Sequence, residues 1–171
     1  MPFTKKQLQA TILGWLTMLG WDFFLHGGLL ASHYVKESSF LLGPQEAFRL
    51  IPLGYLSFLI YAILLTWVMP RFALSNRKQA FVFGLTFGLF TWGGFVLGLM
   101  SISTIDTSLA ISWILGQTVE IGLGALVIYL SLQAESLRRI SLFVFLFIIF
   151  AFAATIILQS VGLAPAIVVS S

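Results

Sequence analysis

The chain contains no cysteine and only two histidines, and charged residues make up just 9% of it. The first absence excludes a disulfide framework, a thiolate zinc site and a lipoprotein attachment point. The scarcity of histidine leaves few metal-ligand sets to consider. The scarcity of charge excludes an ordinary soluble domain, where roughly a quarter of residues are charged. The net charge is +3, but no basic block is long enough for a nucleic-acid partner. A glycine-rich phosphate loop, a GxSxG elbow and an HExxH pair are absent as well. Nucleophilic catalysis therefore has no support.

What the chain has in quantity is hydrocarbon. Of its 171 residues 59% are hydrophobic, and mean hydropathy is +1.03. Five apolar stretches, at about 8–30, 45–69, 80–100, 109–131 and 140–162, each approach the ~20 residues that cross a bilayer as a helix. None alternates in polarity as transmembrane strands do. The expected fold is all-α, a polytopic transmembrane bundle of about five helices forming one membrane domain over residues 1–171. The longest loop, 31–43, is too short to fold as a domain. No repeat of 20–50 residues points to a two-repeat transporter. Lys5 and Lys6 followed by an apolar run resemble a signal peptide, but Asp22 and His26 interrupt that run, so cleavage is not expected.

The basic residues set an expected orientation. Lys5 and Lys6 precede the first span, Arg71, Arg77 and Lys78 separate the second from the third, and Arg138 and Arg139 separate the fourth from the fifth. Only Lys36 and Arg49 fall elsewhere. An excess of Lys and Arg marks the cytoplasmic side. The expectation is a cytoplasmic amino terminus, an external carboxyl terminus and residence in a cell inner membrane.

Three ionisable residues lie well inside the spans: Asp22 and His26 in the first, Glu120 in the fourth. A carboxylate at mid-membrane costs roughly 2.5–3.5 kcal/mol on insertion scales, so such groups face the bundle interior and find partners. Helical spacing puts Trp15, Leu19, Asp22, His26 and His33 along one face, and Trp113, Gln117, Glu120 and Gly124 along another. The two faces are expected to meet, with Gln117 at the depth of Asp22, and Asp22, His26, Gln117 and Glu120 forming one polar cluster beside Trp113. Gly84, Gly88, Gly94, Gly98 and Gly116 are expected to allow close helix approach. The last span, uncharged and rich in phenylalanine, reads as a lipid-facing cover.

The cluster has a bland reading and a sharp one. Asp22 and His26 at i and i+4 form a favourable helical pair that needs no further purpose. Alternatively, Asp22, His26 and Glu120 form a candidate metal set suited to Zn, Mn or Fe, although with two histidines no metal or other cofactor is required. Haem held by His26 and His33 is weaker still, because His33 is expected outside the hydrocarbon. Three functions follow, and the leading one is non-enzymatic binding or passage of a small ligand, ion or proton at the cluster. The alternatives are an accessory or assembly subunit of a larger membrane complex and a metal-dependent intramembrane enzyme acting on a lipid. Expected partners are membrane lipids and either further copies of the chain or a larger membrane complex.

Three segments carry a resemblance: "WDFFLHGGLL", "FGLTFGLFTWGG" and "SWILGQTVEIGLG". They are similar to a group of small bacterial multi-spanning integral membrane proteins with a DFxxHGxLL-like first helix and a WxxGxxVE-like fourth. The match falls on Asp22, His26, Gly27, Trp113, Gly116 and Glu120 and covers about residues 14–131. Members usually stop after four helices, so the fifth is a departure. The resemblance implies the topology and the polar cluster, and it brings no reaction with it.

Overall fold

Residues 3–36 and 38–165 are described by the structure, a computed structural model, and among them the chain is helical with no strand. Among the described residues five helices are long and apolar enough to cross a membrane: Lys5–Leu29, Gln45–Arg71, Arg77–Ile102, Thr107–Gln133 and Arg138–Ser160. All five expected spans are present; the first four are a few residues longer than expected, and the last has the expected length but begins and ends slightly earlier. The expected external carboxyl terminus lies outside the described residues, as does Glu37 of the 31–43 loop.

The described residues form six α-helices: α1 (Lys5–Phe24), α2 (Ala31–Tyr34), α3 (Pro44–Val68), α4 (Arg77–Ile102), α5 (Thr107–Gln133) and α6 (Arg138–Ser160). One π-helical turn, Leu25–Leu29, joins α1 to α2, and a 3₁₀ turn, Met69–Arg71, ends α3. Polar residues begin the helices where the sequence supplies them. Thr4 and Gln7 form a reciprocal capping box on α1, and Asn76 accepts from the Gln79 N–H at 3.0 Å. Asp106 accepts from the Leu109 N–H at 3.0 Å. The Ser108 hydroxyl and that N–H hold the Asp106 carboxyl below its ordinary value. Each cap satisfies an N–H that the helix itself leaves without a partner.

The connections place Lys5, Arg71, Arg77 and Arg138 at one end of the bundle, called here the basic end. The 35–43 and 103–106 connections lie at the far end. In the middle stands α1, packed on α5, α6 and α3, while α4 leans on α5. Glycine makes the α4–α5 contact possible. A Cβ on Gly84 would stand 2.8 Å from the Gly122 Cα and 2.9 Å from the Ile121 carbonyl, so no side chain fits there. Gly88 meets the Thr118 backbone in the same way. Gly116 faces Leu25 and Gly124 faces Met18, which lets α1 and α5 close together.

Gly94 and Gly98 correct the expectation of close approach, since nothing lies within 4 Å of a Cβ at either position. They stand two residues before and two after the buried Val96. At about 100° per residue, that places both on the opposite side of α4. The last helix, α6, is a cover as expected, with Phe143, Phe145 and Phe150 exposed. Its inner stripe of Val144, Ala151 and Thr155 is buried, and it rides on α1.

Candidate functional site

The site is organised by the π turn at the end of the first span. The Leu30 N–H bonds the Leu25 carbonyl at 2.8 Å, five residues back. Gly27 and Gly28 let α6 come close. A Cβ on Gly27 would lie 3.2 Å from Thr155 Cγ2, and one on Gly28 3.2 Å from Leu158 Cδ1. Gln159 of α6 donates from Nε2 to the Gly27 carbonyl at 2.8 Å, fixing the widened turn. Eight residues along an unbroken α-helix, Tyr34 would sit about 80° around from His26. The extra residue held in the π turn brings it back over the imidazole. Such single π turns occur often at functional sites.

Tyr34, His26, Asp22 and Gln117 then form a connected network. Trp113 Nε1, which can only donate, reaches the Tyr34 hydroxyl oxygen at 2.8 Å. The hydroxyl's own proton goes to His26 Nδ1 at 2.5 Å. Burial pushes the Tyr34 phenol well above its ordinary value, so that proton stays in place. With Nδ1 accepting, Nε2 carries the ring hydrogen and faces Asp22 Oδ1 at 3.1 Å. The tautomer is assigned from this network.

The Gln117 Nε2 lies 3.3 Å from the same His26 Nε2, and two N–H groups cannot satisfy each other. Turning the amide by half a revolution resolves the conflict. It sets the buried, otherwise unpartnered Oε1 against the imidazole N–H.

Glu120 is the most enclosed of the group. It is 0% exposed, and neither carboxyl oxygen has a hydrogen-bond partner among the described residues. Gln117, one turn away, approaches the carboxyl without meeting hydrogen-bond geometry, and Asp22 lies within electrostatic range. Across the α1–α5 interface Gly14 faces Gly124 and Ile128, Met18 faces Gly124, and His26 meets Gln117. That register brings Asp22 level with Glu120. Towards the basic end the interface is apolar, with Met18, Ile121, Ala125 and Ile128 all buried.

The structure therefore unites Asp22, His26 and Gln117, joins Trp113 through Tyr34, and sets Glu120 beside them. The expected depth pairing is corrected by one turn: Gln117 is level with His26, because the register of the glycine contacts matches Asp22 to Glu120. The metal set of Asp22, His26 and Glu120 does not converge. Among the described residues no three His, Cys, Asp or Glu side chains come together closely enough to hold an ion. Gln117 lies between His26 and Glu120. His33 belongs to α2 and bonds through its backbone N–H to the Leu30 carbonyl. It takes no part in the network, and Trp15 instead donates to the Tyr55 carbonyl at 2.8 Å.

Two contributors escape a reading by α-helical spacing, Tyr34 and Gln159. The Gly27–Gly28 pair beside a histidine is the signal for the first, since it marks where the helical period can slip. For the second, the only signal is a lone amide near the end of an otherwise apolar helix. No protein-family model, curated protein or solved structure matches the chain.

Proposed function

We propose that this multi-pass membrane protein binds or passes a small ligand, ion or proton at the Asp22–His26–Gln117–Glu120 cluster, and does so without catalysis. We further propose that it lies in a cell inner membrane with the basic end in the cytoplasm, as the distribution of Lys and Arg favours. The observation that carries the reading is Glu120, a sealed carboxyl with no hydrogen-bond partner among the described residues, level with a second carboxyl that has one. A group kept only for packing is normally satisfied, because an unpaired buried polar atom costs about 1–3 kcal/mol. Intramembrane carboxylate and histidine groups commonly mark proton and ion pathways. The likeness to the DFxxHGxLL group belongs to the same proposal.

Difference infrared spectroscopy on the protein in liposomes tests it. A carboxyl band, assigned to Glu120 by its loss in Glu120→Gln, should change when pH or the bound ligand changes. The paired change Asp22→Asn with His26→Gln should keep the fold and abolish that response. An unresponsive band, or full response in both variants, overturns the reading.

A second reading is an accessory subunit, and α4 favours it. Its Gly94 and Gly98 face is open, and Phe90, Phe95 and Leu97 beside it are exposed. Such a face suits close packing against another membrane helix, from a further copy or a larger complex. Co-purification in mild detergent with and without Gly94→Leu separates this reading from the first.

A further inference from the structure

The polar cluster is open on one flank, and the chemistry of that flank indicates what it takes. Beneath Asp22 and Glu120, on the basic side, the interior is largely apolar, with Met18, Leu65, Ile121, Ala125 and Ile128 buried. The buried polar side chains there are the hydroxyls of Thr11, Thr17, Thr66 and Ser131. On the α5 side Gln117 and Glu120 are sealed. Asp22 and His26, in contrast, leave 15% and 29% of their side chains exposed. The exposure needs a neighbour that is missing, and α3 is that neighbour. From Phe58 to Met69 it contributes to the core, but residues 46–54 are exposed on every face of the helix.

Heights place the gap beside the site. At about 1.5 Å per residue, Asp22 stands about 25 Å above Lys5 and Gly54 about 25 Å above Arg71. The uncovered stretch of α3 thus begins at the level of Asp22, just past the bond from Trp15 to the Tyr55 carbonyl. Phe48, Leu50, Ile51 and Leu53 are exposed there. In a bilayer about 30 Å thick, that level falls in the half towards the far end, close to the headgroups. A molecule reaching Asp22 by this flank passes among lipid tails. What it meets is acceptor-rich: the Asp22 carboxylate, with the Glu120 carboxyl behind it. His26 already has its ring nitrogens engaged by Tyr34 and Asp22. The basic residue on the exposed stretch of α3, Arg49, lies above that level.

We infer that the cluster's ligand is a membrane-borne amphiphile with a primary ammonium head, its N–H donors set against Asp22 and its aliphatic tail along the uncovered flank of α3. The inference rests on reading the cluster as a binding site and adds the class of ligand and its lateral route. Charge-assisted hydrogen bonds between ammonium and carboxylate supply the selectivity. The tail adds little contact energy over lipid, which is equally apolar. Its role is to concentrate the head at the depth of Asp22.

The test uses the full chain in phosphatidylcholine nanodiscs and four probes: dodecylamine, butylamine, dodecyltrimethylammonium and dodecanoate. Thermal stabilisation and tryptophan fluorescence are followed against probe concentration. Dodecylamine should bind at least about tenfold more tightly than dodecyltrimethylammonium, which shares its charge and tail but has no N–H. Dodecanoate should give no response. Butylamine should be weaker by more than about a hundredfold, since each added methylene favours the bilayer. Asp22→Asn should remove the dodecylamine response, and should that variant fail to fold, the trimethylammonium comparison on the native chain decides alone.

Equal binding of the two dodecyl cations overturns the inference, as does the absence of any response to dodecylamine. Equally strong, Asp22-dependent binding of butylamine also overturns it while leaving the cluster a binding site for water-borne amines. The infrared response of Glu120 is measured separately, so failure here is distinguishable from failure of the proposed function.

Discussion

Asp22 and Glu120 stand at one height on opposite sides of the α1–α5 interface, and among the described residues only Asp22 has a hydrogen-bond partner. His26 lies 3.1 Å from the Asp22 carboxylate, whereas both Glu120 oxygens are buried without a hydrogen-bond partner among the described residues. Two acids so placed answer differently to the same change. Glu120→Gln keeps the shape and removes an ionisable group that nothing compensates, so the fold should be retained or stabilised by about 1 kcal/mol. Asp22→Asn removes half of a pair and should destabilise. Unfolding of the two variants in mild detergent checks the contrast, and equal losses would count against it.

The glycines of α4 give a second contrast. Gly84→Ala forces a Cβ against the Gly122 and Ile121 backbone, and overpacking of this kind costs roughly 1–3 kcal/mol. Gly94→Ala and Gly98→Ala meet open space. There the better helix former should be neutral or stabilise by up to about 1 kcal/mol. Thermal midpoints of the three variants in one detergent suffice to check this.

Tyr34→Phe removes the hydroxyl that Trp113 and His26 share. Two half-buried partners lose their bond, at a cost of about 0.5–1.5 kcal/mol. Nitrogen NMR of His26 should show Nδ1 freed from its hydrogen bond, and an unchanged imidazole would contradict the assigned tautomer.

The same tyrosine predicts a pH dependence. Burial raises its phenol above the ordinary value of 10.0. In that range the unfolded chain releases the proton and the folded chain keeps it. Stability from this group is therefore complete below pH 10 and falls as pH rises towards the folded value. Alkaline unfolding should be less steep in Tyr34→Phe than in the native chain, and parallel curves would refute the point.

Orientation is open to direct measurement. Reporters fused after Asn76 and Glu135 should read cytoplasmic, and one near Ser38 should read external, as the basic loops predict. An external signal at Asn76 would reverse the assignment.

Much of this was legible in the sequence, for reasons that stay physical. Span number and position follow from the length of apolar runs against the thickness of a bilayer, and all five are present. The meeting of Asp22 and His26 with Gln117 follows from helical periodicity, which holds as far as Phe24. Beyond that the period slips at Gly27–Gly28, and Tyr34 comes to lie where α-helical counting does not put it. The depth pairing missed by one turn because glycine contacts, such as Gly116 against Leu25, set the register, and those depend on both helices at once. Gly94 and Gly98 have the same spacing as Gly84 and Gly88. Only the packing around Val96 distinguishes the face they occupy.

The bond from Gln159 to the Gly27 carbonyl spans 132 positions of the chain, and this separation orders events during synthesis. The first span reaches the membrane with its π turn unsupported, and the residue that holds the turn leaves the ribosome only with the last span. Tyr34 depends on that turn for its place over His26. Assembly of the cluster is therefore a late step in biogenesis, and a chain interrupted before Gln159 should insert its early helices yet leave the site unfinished.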